Sequence, residues 1–367
     1  MLKLPVISKE TIINNFNDFV SSKNKKRIFG RTGGTTGNPF KYISSKDNIS
    51  MRWANVFRGW AWAGYEYGDK RTTLAGTSLI PDEKKSFSQH MRYFLENHQP
   101  LPSVHVNDKI LFNHYKNFIK FKPKFLRGFP SILFEFASYI SRNNLHPHKL
   151  VAIFSTAEKL YDFQKEEIEN VFNCEIFDNY SNPESGCSAY ECKSHKGLHL
   201  GDEWAITEIL DTSFEPVKKG NVGELVATNL YNYEQPFIRY RTEDLASLSK
   251  EQCDCGINLP LLQSLQGRIS DNLKFSNGVT IPGPMVVHIF RLFDQVSNYQ
   301  LVQKNDKSVE INIVKSNSFK TSHENDLKSI MEHHCGSGVE VNMNFVDTIE
   351  RTKGGKKQVI IIDKNDL

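Results

Sequence analysis

Residues 124–177 read KFLRGFPSILFEFASYISRNNLHPHKLVAIFSTAEKLYDFQKEEIENVFNCEIF, and the rhythm of this stretch decides the fold. Phe125-Leu126-Arg127 is a short run fit for a strand, and residues 131–142 carry apolar side chains at helical spacing. Val151-Ala152-Ile153-Phe154 is a second run of the buried-strand kind. Residues 162–172 form a second helix with Asp162 as its cap, and Glu175-Ile176-Phe177 a third strand. Strand and helix in strict alternation predict a parallel α/β sheet, because parallel neighbours need a long crossover and a helix is the usual one.

Upstream, residues 8–21 predict an amphipathic helix capped by Ser8, with Ile12, Ile13, Phe16, Phe19 and Val20 on one face. Residues 46–65 predict another, with Ile49, Trp53, Val56, Phe57 and Trp60 at helical spacing. Downstream, residues 198–248 break into short β runs with turn signals such as Lys219-Gly220-Asn221, which suits a smaller β subdomain. A third pattern follows Gly267. A helix near 283–293 precedes strands at 299–303 and 308–314, and a helix at 322–334 precedes strands at 339–346 and 358–362. The fold class is therefore α/β. A large N-terminal domain, 1–269, holds a parallel sheet and a small β subdomain, and a small α+β C-terminal domain, 270–367, follows.

Composition bounds the function. The 367 residues suffice for about two domains at roughly 150 residues each. With 39% apolar and 24% charged residues the chain is an ordinary soluble globular protein. No apolar run reaches the roughly 18 residues of a membrane span. The start, Met1-Leu2-Lys3-Leu4-Pro5, lacks the apolar core of a signal peptide, so a cytoplasmic location is the expectation. Lys and Arg total 46 against 42 Asp and Glu, a net +4 too weak to call for nucleic acid as a partner. Lys23, Lys25, Lys26 and Arg27 form a local basic cluster read as a solvated face. Six cysteines in a long chain without an export signal argue against a disulfide framework.

The densest chemical signal is Arg31-Thr32-Gly33-Gly34-Thr35-Thr36-Gly37-Asn38-Pro39. Three glycines allow positive φ and close approach of a ligand, and successive N–H groups in such a turn make an anion nest. Thr32, Thr35 and Thr36 add hydroxyl donors, so the loop suits polyphosphate; read by itself it is as well a flexible surface turn. It is neither a Walker A sequence nor a G-x-G-x-x-G dinucleotide loop.

With that loop the chain resembles the adenylate-forming superfamily of acid ligases. The resemblance is to the branch of phenylacetate–CoA ligases, capsule-biosynthesis ligase-like proteins and synthetases that adenylylate a deazaflavin coenzyme. The matching segments come in the family's order. They are Trp62-Ala63-Gly64 with Gly68-Asp69, Arg127-Gly128-Phe129-Pro130-Ser131, Ser155-Thr156-Ala157-Glu158-Lys159-Leu160, and Asn179-Tyr180-Ser181-Asn182-Pro183-Glu184. Pro236 to Asp244, Gly267-Arg268-Ile269-Ser270-Asp271 and Arg351-Thr352-Lys353-Gly354-Gly355-Lys356 complete the series.

The resemblance implies an AMP-forming ligase that joins a carboxylic acid to the α-phosphate of ATP and passes the acyl group to an acceptor, CoA by default. It places the β- and γ-phosphates on Thr32, Gly33, Gly34, Thr35, Thr36 and Gly37, adenine on Tyr180 and ribose on Asp244. Arg268 pairs with ribose or phosphate, and Mg²⁺ falls to Glu184, a hard oxygen donor. Gly128, Pro130, Ser155, Ala157 and Asn179 line the acid pocket. Lys356 meets the charge that builds between carboxylate and α-phosphate, with Lys357 as the alternative, on a C-terminal domain that swings about the hinge at 267–271. Trp53, Phe57 and Trp60 add an aromatic wall to the pocket or simply pack the core.

Each residue also has a plain reading. Glu184 would be a surface carboxylate, Tyr180 a core residue, Asp244 and Arg239 a strand-end ion pair, and Lys353 to Lys357 a solvated basic loop. Three positions depart from the family: Asn38 where Lys is frequent, Ser181-Asn182-Pro183 before Glu184, and Ser270 where the hinge usually has Asp. The helical segment that the resemblance leads one to expect before residues 4–9 is missing: the protein is naturally short, a partner supplies that surface, or the reading frame is shortened, and apolar surface exposed on the helix at 8–21 would favour a partner or homodimer. Rivals to CoA ligation are amide formation or nucleotidyl transfer in surface-polysaccharide assembly, a non-catalytic binding protein, and a kinase, which would leave ADP.

Cys192, His199, Cys253 and Cys255 give three thiolates and an imidazole, a frequent structural Zn²⁺ set. His195 could replace His199. The other reading has Cys192 buried and Cys253 and Cys255 free, and Cys174, Cys187 and Cys335 read as inert buried thiols.

Overall fold

The computed structural model describes residues 4–22, 27–31, 40–80, 87–104, 106–268, 272–336, 338–352 and 354–363. The phosphate-loop residues Thr32, Gly33, Gly34, Thr35, Thr36 and Gly37 lie outside these, as do hinge residues Ile269, Ser270 and Asp271, Lys353, and the cluster Lys23, Lys25 and Lys26. The chain divides into two compact units. The larger runs through Leu265 and takes in residues 354–356; the smaller holds Gln266–Thr352 and the chain from Lys357 onward.

The larger unit contains the α/β sheet that the alternating pattern predicts. Five parallel strands lie in the order His98–Pro102, Arg71–Ala75, Phe125–Gly128, Ala152–Ser155 and Ile176–Phe177. The helices Pro130–Arg142 and Asp162–Phe172 cross between the last three. Pro130 opens the first at a position where its missing N–H costs nothing. The second is capped by Tyr161 rather than Asp162: the Gln164 side chain accepts from the Tyr161 N–H at 3.2 Å. One face of the sheet packs Leu74, Leu126, Ile153 and Ile176 under these helices. The other packs Phe125, Phe154 and Phe177 against Trp60 of helix Lys46–Ala61. Trp53 and Phe57 join that cluster from its rim, so the aromatic spacing serves the core. The helix stops at Ala61 and not at 65, and the N-terminal helix is only Lys9–Asn14, capped by Ser8 and followed by a 3₁₀ turn Phe16–Phe19. Ile12 of that helix is buried with Phe40, Tyr42, Phe237 and Tyr240.

The β subdomain is larger than the turn signals suggest. It starts at Asn179 and ends at Arg268, in seven strands ordered Ala205–Leu210, Val222–Asn229, Tyr240–Leu248, Leu261–Arg268, Leu198–Leu200, Cys187–Glu191 and Asn179–Asn182. Three consecutive strands form a meander at each side, and Leu261–Arg268 lies between the two meanders.

The smaller unit is the expected α+β module. Its four strands lie in the order Val341–Phe345, Val309–Lys315, Val296–Gln303 and Ile360–Ile362. Helices Gly283–Arg291 and Thr321–Cys335 cover it, and Phe290, Leu301, Ile311, Ile313, Leu327 and Met331 fill its core.

Candidate functional site

The carboxyl ends of parallel strands are where open α/β sheets bind ligands. Gly128 ends the central strand there, and its carbonyl accepts from the Thr156 N–H at 3.1 Å. A Cβ at Gly128 would stand 2.6 Å from the Leu74 carbonyl oxygen, so no side chain fits. Pro130 is buried at the start of its helix. Ala157 holds φ of 70°, a left-handed conformation that costs a non-glycine residue free energy. Ser155 is fully buried, and its Oγ donates to Asp178 Oδ1 at 2.5 Å. The Asn179 N–H donates to the same oxygen at 2.9 Å, and the Asp178 N–H donates to Glu191 Oε2 at 2.8 Å. Burial pushes the Asp178 carboxyl up to about 6 against the pull of the Ser155 hydroxyl. Asn179 also accepts from the Trp60 indole N–H at 3.1 Å. Ser155 and Asn179 thus meet at Asp178, to which sequence reasoning assigned no role of its own.

Tyr180 and Asp244 come together from 64 positions apart: the phenol donates to Asp244 Oδ2 at 2.6 Å. Burial, then the Asp244 charge, pushes the Tyr180 phenol well above its ordinary value. Glu184 is buried in the turn after strand Asn179–Asn182. Its charge, after burial, raises the Tyr42 phenol to about 12. A carboxylate buried in this way is a hard oxygen donor whose chemistry fits Mg²⁺. The contacts seen for Arg239 are with other groups than Asp244. Arg239 is buried and paired through Nε with Glu208 at 3.1 Å, and its Nη1 donates to the Leu4 carbonyl at 2.6 Å.

Arg268 is the last residue of strand Leu261–Arg268. Lys356 follows Gly355, which takes φ of 81°, in the segment 354–356 that groups with the larger unit. In that unit the Ser78 N–H and Oγ approach the Gly354 carbonyl at 3.5 and 3.3 Å. Lys357 has a separate partner, its Nζ standing 5.0 Å from the Tyr299 ring centroid.

At one end of the seven-stranded sheet, Cys192, His199, Cys253 and Cys255 converge, their ligand atoms all within 4.8 Å of one another. Cys192 and Cys253 sulfurs are 3.7 Å apart, and Cys255 Sγ lies 3.3 Å from His199 Nε2. Sulfurs about 2.3 Å from a tetrahedral zinc would stand about 3.8 Å apart, so the set fits the ion. His195 is elsewhere engaged: its Nδ1 lies 3.0 Å from Glu191 and its ring leans on Phe177. Cys253 and Cys255 are therefore gathered rather than scattered. Burial pushes the Cys174 and Cys187 thiols up to about 12 and Cys335 to about 11, which keeps all three unreactive.

Comparison with known proteins agrees with this geometry. Residues 273–363 match the family model of the CapK C-terminal domain. Protein CapK of Staphylococcus aureus is 26% identical over 375 residues, covering 98% of this chain and 79% of that one. A phenylacetate–coenzyme A ligase of Pseudomonas putida is 23% identical over 377 residues, covering 96% and 83%. Among solved structures, 2-hydroxyisobutyryl-CoA ligase in its postadenylation state superposes with a TM-score of 0.75 at 20% identity, over 99% of this chain and 80% of that one. Among the described residues no helix is long and apolar enough to cross a membrane. The order of the motifs and these relatives point the same way: the chain is similar to CapK and to phenylacetate–coenzyme A ligases, and it shares the fold of acyl-CoA ligases.

Proposed function

We propose that the protein activates a carboxylic acid as its acyl-adenylate and transfers the acyl group to CoA. The observation that carries this reading is the bond between Tyr180 and Asp244, with buried Glu184 four residues on. In the first step a carboxylate oxygen attacks the α-phosphorus of ATP and pyrophosphate leaves. In the second the acceptor's sulfur attacks the acyl carbon and AMP leaves.

Each residue answers a physical need of those steps. Two anions must meet, so donors and cations have to offset their repulsion. Residues 33–37 would cradle the β- and γ-phosphates, and Glu184 would hold Mg²⁺, which screens them. Asp244 would accept from the ribose hydroxyls while the Tyr180 ring faces adenine. Arg268 and Lys356 would balance the charge at the α-phosphate. Gly128, Pro130, Ser155, Ala157 and Asn179 would shape the acid pocket. Cys192, His199, Cys253 and Cys255 would hold a structural zinc that ties down the end of the small sheet. ATP and CoA are at hand in the cytoplasm, where we place the reaction.

The test is a panel of carboxylic acids scored for pyrophosphate release and AMP. Acid-dependent pyrophosphate with AMP supports the reading, ADP points to a kinase, and ATP binding without turnover with any acid points to a binding protein. The CapK C-terminal match favours a second reading of the acceptor, a surface-polysaccharide precursor in place of CoA. Adenylate formation without thioester formation when CoA is supplied would select it.

A further inference from the structure

We propose that Arg127, with the hydroxyls of Tyr190 and Ser188, forms an anion-binding subsite of the acid pocket, so that the acid substrate carries a second anionic group besides the carboxylate that reacts. The proposal rests on the adenylation reading and names the substrate class of that site.

Arg127 lies on strand Phe125–Gly128, one residue before Gly128. Side chains alternate along a strand, so Arg127 shares its face with Phe125 and not with Leu126. That face carries Trp60, Phe154 and Tyr190 and, from the neighbouring strand, Arg71 and Thr73, the latter bonded to His98 at 2.8 Å. The guanidinium carbon stands 5.1 Å from the Trp60 ring centroid. Trp60 in turn bonds Asn179, which places Arg127 on the wall that the acid pocket shares.

A cation in such surroundings is expected to have a carboxylate beside it. Arg127 has none among the charged groups that act on it most strongly, which are Tyr190, Arg71 and Arg52. Its Nε is buried without a hydrogen-bond partner. Burial lowers the guanidinium to about 10, and the two arginines add to that. The neighbouring Arg71 shows the contrast, bonded to the Tyr65 hydroxyl at 2.9 Å and paired with Glu96 at 2.5 Å. Arg127 as a residue is only partly buried, so some of its surface stays accessible.

The facing strand supplies the complement. Ser188 and Tyr190 alternate onto one face of strand Cys187–Glu191, and both are buried. Among the described residues neither hydroxyl oxygen has a hydrogen-bond partner. The Tyr190 phenol feels Arg127 more than any other cation. A guanidinium fork and two free hydroxyl donors are what a carboxylate or phosphate requires. Trp60 stands between Arg127 and Asn179, the residue that opens the strand carrying Tyr180, so Arg127 lies across the indole from the groups assigned to ATP. The carboxylate that reacts must lie by the nucleotide, so the anion at Arg127 is a second one.

The experiment compares matched probes: glutarate and 3-phosphonopropionate against butyrate, and adipate against hexanoate. Binding is read by calorimetry on the full chain, wild type beside Arg127→Met and Arg127→Lys, and turnover by pyrophosphate release. Wild type should prefer a dianion over its monoanion by about a hundredfold, as buried polar groups left unpaired reject the analogue. Arg127→Met should collapse that ratio to about one, and Arg127→Lys should keep part of it. A wild-type ratio near one, or a ratio unchanged in the Met variant, overturns the proposal. Glutarate against 3-phosphonopropionate tells which anion is preferred. Dianion binding that depends on Arg127 without pyrophosphate from any acid would sink the adenylation reading and leave the subsite standing. Turnover of monoacids alone would do the reverse.

Discussion

Asp178 takes two hydrogen bonds on one oxygen while protein closes around it, and its carboxyl rises to about 6. A carboxyl raised in the folded state favours the protonated form. Its contribution to stability is complete below the ordinary carboxylate range and is lost as pH climbs through about 6. The loss near neutrality is on the order of 2 kcal/mol after discounting for residual contact with water. Asp178→Asn keeps the accepting oxygen and cannot ionise, so its melting temperature relative to wild type should rise between about pH 4.5 and 7.5. A difference that stays flat with pH would show that Asp178 is not the group responsible. Ala157→Gly should stabilise the protein by roughly 0.5 kcal/mol in denaturant titrations, since relief of the left-handed strain exceeds the entropy glycine loses. Ala157 was named from its motif as a pocket residue but its left-handed backbone was not legible in the sequence, and Asp178 was given no role of its own. An aspartate after Phe177 looks like any polar strand end, and its environment comes from Ser155 and Glu191, on other strands. Tyr180, Glu184 and Asp244 were named from motifs that come in order, and the structure brings Tyr180 and Asp244 into contact.

Among the elements, the alternating stretch at 124–177 was readable because each strand and its crossover helix are local, and apolar periodicity reports local burial. The β subdomain was underestimated for the opposite reason. Its outer strand Asn179–Asn182 is Asn-Tyr-Ser-Asn, without apolar alternation, and only pairing with Cys187–Glu191 makes it a strand. The Cys/His cluster shows what long-range pairing adds. Cys192 follows one strand and His199 sits within the next, while Cys253 and Cys255 occupy the turn before Leu261–Arg268. Purified protein should carry roughly one zinc per chain by elemental analysis. Chelation or Cys253→Ser should lower the melting temperature by roughly 5 °C or more, because binding free energy at such a site is folding free energy. Full stability in metal-free protein would refute the zinc reading.

For the whole molecule, composition set expectations about size and partners, but its charge balance says nothing of catalysis. The proposed chemistry depends on Lys356, at the far end of the sequence, acting with residues before 245. Lys356→Ala should cut adenylate formation by about a hundredfold or more while ATP affinity changes only a few-fold, since the lysine serves charge that develops in the transition state. Undiminished turnover would reassign that role, with Lys357 next in line. The seven-stranded sheet carries a further consequence. Its two meanders are joined by Leu261–Arg268, the last of the seven strands to leave the ribosome. Until that strand arrives, each half offers an open backbone edge to any other extended chain. Folding of this region is thus a late event during translation, governed by the slow search for distant partners. A nascent chain stalled before residue 261 should therefore aggregate more readily than one released with that strand complete.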